Sequence, residues 1–224
     1  MKTRNTIKAK RITPGPAARV AIARDVVKQL NSKRYKAMTG VWIGVKRSAR
    51  ISTPIGDIIF ASKVADAMPG SSADINGKDD LCSIVTSGSK CEVCALGGIF
   101  LSIVRVTGKC RLSNPQMMNM ESRIFESLEK SQLTQYFPKK MLRLMESCFE
   151  GNLGIHFTTK TKDALVAEAY FHDNKNDLNR LTAIAKNIIR NNGDFIPEQD
   201  LKPSSVKGIA SLCRDIRSGL LNND

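Results

Sequence analysis

The chain has 224 residues, 42% apolar and 5% aromatic with a single Trp, which is enough to bury a sizeable core but too few rings for a surface built of base-stacking aromatics. Its net charge of +14 is one-sided: up to Arg50 fourteen Lys and Arg face one acid, Asp25, whereas from Ile51 onward twenty-one face twenty. No run of about eighteen apolar residues is present, which excludes a membrane-spanning helix by this criterion, and no apolar signal core follows the basic start, so a cytoplasmic location is expected.

Residues 1–15 are expected to form a flexible basic arm. Lys2, Arg4, Lys8, Lys10 and Arg11 alternate with small polar residues, and Thr13-Pro14-Gly15-Pro16 blocks regular structure. Residues 16–224 are expected to fold as a single globular domain. Pro16 suits a helix's first turn, and Val20, Ile22, Ala23, Val26, Val27 and Leu30 make one apolar stripe, so the spacing predicts a helix ending near Asn31. The β-rich run Val41–Val45 predicts a strand, with a second at 57–61 after Pro54 and Gly56. A short helix over 62–68, a loop from Pro69 to Asp80 and a short strand over 81–86 follow.

Lys90 to Arg105 is the most apolar segment and predicts a buried central helix. Gly97 and Gly98 each cost such a helix roughly 1 kcal/mol, so they imply close approach by another element. Ser113-Asn114-Pro115 opens a helix to about Lys130. Phe137-Pro138 opens another, with Met141, Leu142, Leu144, Met145, Cys148 and Phe149 inward and Gly151 as its stop. His156–Thr159 reads as a short strand and Asp163–Phe171 as helical or extended. Leu178, Leu181, Ile184, Ala185, Ile188 and Ile189 recur at helical spacing between Asn176 and Asn191, with Gly193 as the stop. A last helix covers about 204–217. The fold class is α+β, predominantly helical, with a small sheet packed against the buried central helix.

Three constellations carry possible chemistry. The first is the basic leading segment. Lys33, Arg34, Lys36, Lys46, Arg47 and Arg50 would extend the arm onto a folded face, with Trp42 or Tyr35 available to stack a base. Such a face attracts phosphates of any sequence by displacing counterions. An acidic protein surface satisfies the same charges, so nucleic acid and an acidic host protein both remain partners.

The second is the cysteines. Cys82, Cys91, Cys94 and Cys110, spaced C-x8-C-x2-C-x15-C, offer four thiolates for a zinc ion, which would make a zinc-containing nucleic-acid-binding module. A second close pair is missing, and buried structural thiols are the commoner use of such residues. The third is a cysteine-dependent enzyme, with Cys94 at a helix start, His172 as base and Asp173 or Asn174 orienting the imidazole. No Walker loop, Gly-x-Gly-x-x-Gly or His-Glu-x-x-His motif occurs.

The run Cys91-Glu92-Val93-Cys94-Ala95-Leu96-Gly97-Gly98-Ile99-Phe100-Leu101-Ser102 is followed by Tyr136-Phe137, by Leu144 to Glu150 (LMESCFE) and by Arg180 to Ile189 (RLTAIAKNII). In this order, over about residues 16–198, they resemble uncharacterised bacteriophage and bacterial proteins carrying a Cys-Ala-Leu-Gly segment. The resemblance implies a phage or prophage origin. With the basic face it implies a non-enzymatic binding protein acting in the host cytosol on nucleic acid or a host complex, as an inhibitor of a defence or regulatory system. It carries no catalytic residues over.

Overall fold

The structure, a computed structural model, describes residues 12–40, 43–45, 51–53, 56–58, 90–108, 132–151 and 161–217. Helix α1 spans Pro16–Asn31, with proline in its first turn as its ring geometry favours. It buries Ala18, Ile22, Ala23, Val26 and Leu30, and also Gln29, whose amide donates to Asp25 Oδ1 at 2.8 Å. Lys33 then takes a left-handed φ of 56°, with its amide bonded to Leu30 O, and this turn feeds strand β1, Tyr35–Ala37.

Strands β2 (Ile43–Val45), β3 (Ile51–Thr53), β4 (Gly56–Ile58) and β5 (Cys91–Val93) follow. A three-stranded sheet has the order β1-β5-β2. In it β1 runs parallel to β5, with Tyr35 opposite Cys91 and Ala37 opposite Val93, and β2 runs antiparallel to β5, with Ile43 opposite Val93. Strands β3 and β4 pair separately, Ile51 opposite Ile58. The segment from Lys90 to Arg105 therefore begins as a strand rather than as helix.

The central helix α2, Ala95–Thr107, starts where Cys94 caps it, its Sγ accepting from the Gly97 amide at 3.4 Å, and stops at left-handed Gly108. Every residue from Ala95 to Val104 is buried. The close approach that the glycines imply is visible at Gly98, where a Cβ would stand 3.4 Å from Val93 Cγ2 and 3.6 Å from Leu181 Cδ2.

Helices α3 (Gln132–Tyr136), α4 (Lys139–Glu150), α5 (Lys162–Asp173), α6 (Asp177–Arg190) and α7 (Pro203–Arg217), with a 3-10 turn at Pro197–Asp200, complete the described fold. Thr161 Oγ1 caps α5 through the Ala164 amide, and Asn176 Oδ1 caps α6 through the Asn179 amide. Capping of this kind satisfies helix-end N–H groups that would otherwise lack a partner. Helix α1 packs against both α2 and α6, and α4 packs against α5, so one hydrophobic cluster joins them. The fold is predominantly helical α+β with a small sheet beside a buried central helix. Among the described residues no helix is long and apolar enough to cross a membrane.

One inward assignment shifts, and one polar residue of the same helix is taken into the interior. Leu178 is 52% exposed instead of inward, whereas Asn187 is fully buried and hydrogen-bonded to the backbone N and O of Ile196, both at 2.8 Å, and to Asp200 Oδ2 at 2.7 Å. Tyr35 is also in the core, its hydroxyl 3.4 Å from Ser102 Oγ, so its ring has no face to offer a base. The helices expected at 62–68 and 114–130, the strands at 81–86 and 156–159 and most of the arm lie outside the described residues.

Candidate anion-binding groove

Three segments distant in sequence meet around an open groove of about 780 Å³. The turn after α1 supplies Lys33, and β1 supplies Lys36. The parallel β1–β5 pairing, in which the Cys91 amide donates to Arg34 O at 2.7 Å, brings in Lys90 and Glu92. The junction of α5 and α6 supplies Lys175, Asp177 and Leu178. Lys33, Lys36, Lys90 and Lys175 are all exposed. Leu30 and Ala37 give the groove an apolar side, extended by the exposed Leu178.

The two acids here are spoken for. Glu92 pairs with Lys36 at 3.1 Å. Asp177 accepts from the Thr39 amide at 2.8 Å and pairs with Arg180. Lys33, Lys90 and Lys175 have no ion pair among the described residues, so the groove's described lining carries excess positive charge. Arg180, itself buried, holds the α5–α6 junction that carries Lys175. Its guanidinium lies 4.0 Å from the Phe171 ring centroid and 5.8 Å from that of Phe149, and Nη1 donates to Asn174 O at 3.3 Å.

Of the basic residues singled out from sequence, Lys33 and Lys36 line this groove, and Arg34 is exposed between them. Lys2, Arg4, Lys8, Lys10, Arg11, Trp42, Lys46, Arg47 and Arg50 lie outside the described residues. Lys90 and Lys175 were not singled out, because neither lies in the basic leading segment. Only strand pairing and the α5–α6 turn bring them to Lys33.

A second cluster lies at the start of α2. The ligand atoms of Cys94, Glu146 and Glu150 fall within 4.8 Å of one another, and among the described residues this group is the one able to hold a metal. Its donors are already engaged. Gly97 N–H reaches Cys94 Sγ, Leu96 N–H reaches Glu146 Oε2 at 3.4 Å, and Gly40 N–H reaches Glu150 Oε2 at 2.8 Å.

Burial, then the neighbouring Glu150 charge, pushes Glu146 up to about 8, and Glu150 is also raised, chiefly by burial. Cys94 is raised well above an ordinary thiol by burial and by Glu146. Burial pushes Cys91 up to about 11 and raises Cys148 as well. Raised in this way, the thiols are held away from the thiolate form that a nucleophile needs. Of the four-cysteine set, Cys82 and Cys110 lie outside the described residues.

The residues considered for a thiol enzyme differ in burial. Cys94 is buried against the two glutamates, and His172 is exposed at the end of α5, its ring edge-on to Phe171 at 5.5 Å. Asp173 is turned away to Lys202, accepting from its amide at 2.9 Å and pairing with its ammonium at 3.3 Å. Partial desolvation raises the Asp173 carboxyl, but the Lys202 amide, the Ser205 hydroxyl and the Lys202 ammonium outweigh this and hold it below its ordinary value.

The fold and groove thus define a helical α+β chain with a lysine-rimmed surface depression. Comparison with family models, with curated proteins and with solved structures gives no match.

Proposed function

We propose that this chain is a non-enzymatic nucleic-acid-binding protein that seats a phosphate backbone in the lysine groove, with the basic leading segment adding attraction. The observation that carries the reading is the convergence of Lys33, Lys36, Lys90 and Lys175 on one groove whose two acids are already paired. Lysines are compact point charges suited to phosphates, and a net positive surface raises the local concentration of a polyanion. The burial of Cys94, which raises its thiol, gives no comparable support to a thiol enzyme.

The test is a salt series of fluorescence anisotropy titrations with labelled oligonucleotides. Each phosphate contact contributes roughly 0.7–0.9 to the slope of log affinity against log salt. The triple substitution Lys33→Gln, Lys90→Gln, Lys175→Gln is therefore expected to lower that slope by about 2–3. An unchanged slope, or no binding at low salt, overturns the proposal. Capture of an acidic protein from nuclease-treated host lysate, without oligonucleotide binding, would assign the groove to a protein partner instead.

A further inference from the structure

We infer that the groove takes single-stranded nucleic acid, with an unpaired base against Leu178 and the flanking phosphates on Lys33, Lys90 and Lys175. The inference rests on the nucleic-acid reading above and narrows it. Leu178 is the first part of the argument. It occupies the apolar stripe of α6, yet it is half exposed and lines the groove beside the lysines. A duplex offers such a surface mainly phosphates and sugars, which gain nothing from an exposed leucine. An unpaired base has an apolar face that packs against aromatic or aliphatic side chains.

The acids are the second part. Of the two acids among the groove's described lining residues, Asp177 is committed to the fold and Glu92 is only half engaged. Asp177 gives one oxygen to Arg180 and the other to the Thr39 amide, whereas Glu92 has only one oxygen engaged, by Lys36. Carboxylate oxygens accept from the amino groups of base edges, and a single strand leaves those edges free. The third part is size. At about 780 Å³ the groove falls within the range that encloses a small ligand, about 300–1,000 Å³, a scale suited to one nucleotide unit with its flanking phosphates. The base packs on an aliphatic side chain, so sequence preference comes from Glu92 and favours bases bearing an exocyclic amino group.

The experiment uses the full chain and three labelled probes of about twelve residues at matched salt: a mixed-sequence single strand, its duplex, and an all-abasic strand with the same number of phosphates. The expected result is single strand tighter than duplex by about tenfold. The abasic strand should fall to the duplex level. Leu178→Ala, at an exposed position, should weaken single-strand binding roughly three- to tenfold and leave the abasic strand unchanged. Equal affinity for all three probes, or an equal loss on all three in Leu178→Ala, would overturn the single-strand inference while leaving the groove a phosphate-binding site. Failure of every probe at low salt would overturn both.

Discussion

Replacing Glu146 with Gln should flatten the pH dependence of stability between about pH 5 and 8. In the folded chain Glu146 is pushed up to about 8, from an ordinary 4.5, by burial and by the charge of Glu150. The folded state therefore holds a proton that the unfolded chain has already released through this interval. Stability falls wherever the folded state binds more protons than the unfolded one and pH rises. The Glu146 contribution is thus fully present below about pH 4.5, erodes above it, and is lost as pH passes about 8. At roughly 1.4 kcal/mol per pH unit, this sets a ceiling of about 5 kcal/mol. Glu146 is only partly buried by its accessible area, and screening reduces the expected share to about 2–3 kcal/mol. Gln copies the shape of the neutral acid and cannot ionise. Urea denaturation across pH 5–9 should find the variant close to the parent at pH 5 and about 2–3 kcal/mol more stable than it at pH 9, with a residual slope from Glu150. A difference between variant and parent that stays constant across the range would refute the buried-acid account of this cluster.

The glycine that ends α4 gives a second test. Gly151 has a φ of 70°, and a Cβ there would stand 2.7 Å from the Phe171 ring. Gly151→Ala combines left-handed strain with overpacking and should cost roughly 2–4 kcal/mol in the urea midpoint analysis; a change below about 0.5 kcal/mol would contradict this packing. The thiols give a third. Timed alkylation of the native protein at pH 7.5, read by peptide mass spectrometry, should modify the half-exposed Cys213 rapidly and leave Cys91, Cys94 and Cys148 unmodified, since burial both raises and shields them. Modification of Cys94 at the rate of Cys213 would restore it as a candidate nucleophile.

Helices α1 and α6 could be read from the chain because local signals agree in them. Pro16 at the first turn and a stripe from Ile22 to Leu30 mark α1, and Asn176 before Leu181, Ile184, Ala185 and Ile188 marks α6. Helix α2 was legible in its burial but not in its start. A continuous apolar run does not distinguish a buried strand from a buried helix, so Cys91–Val93 was hidden inside it. Strand β1 was invisible for a different reason. Lys33-Arg34-Tyr35-Lys36 reads as a charge cluster, and an alternation of three residues, buried-exposed-buried, is too short to be a signal. Periodicity counted Leu178 among the inward residues of α6, yet the first turn of that helix lines the groove instead. Arg180 sits in a polar position by pattern and is buried because the Phe171 ring, Asn174 O and Asp177 together receive its guanidinium.

The same distinction bears on where charge matters. Sequence places the excess in the first fifty residues, and a linear count treats each cation there alike. In three dimensions position and pairing separate them. Arg19 donates to Gly193 O at 2.6 Å and pairs with Asp194 at 3.0 Å, closing the start of α1 onto the end of α6, so its charge serves the fold. Lys36 is offset by Glu92. Lys33 gains its importance from Lys90 and Lys175, neither of which belongs to the basic segment. A polyanion responds to uncompensated charges within about a Debye length of one another, roughly 8–10 Å at physiological salt, so spatial convergence outranks linear density. If the groove is the docking site, a chain retaining its full leading segment but carrying Gln at Lys90 and Lys175 must lose more affinity than one lacking Lys2 to Arg11. The opposite order would return recognition to the arm.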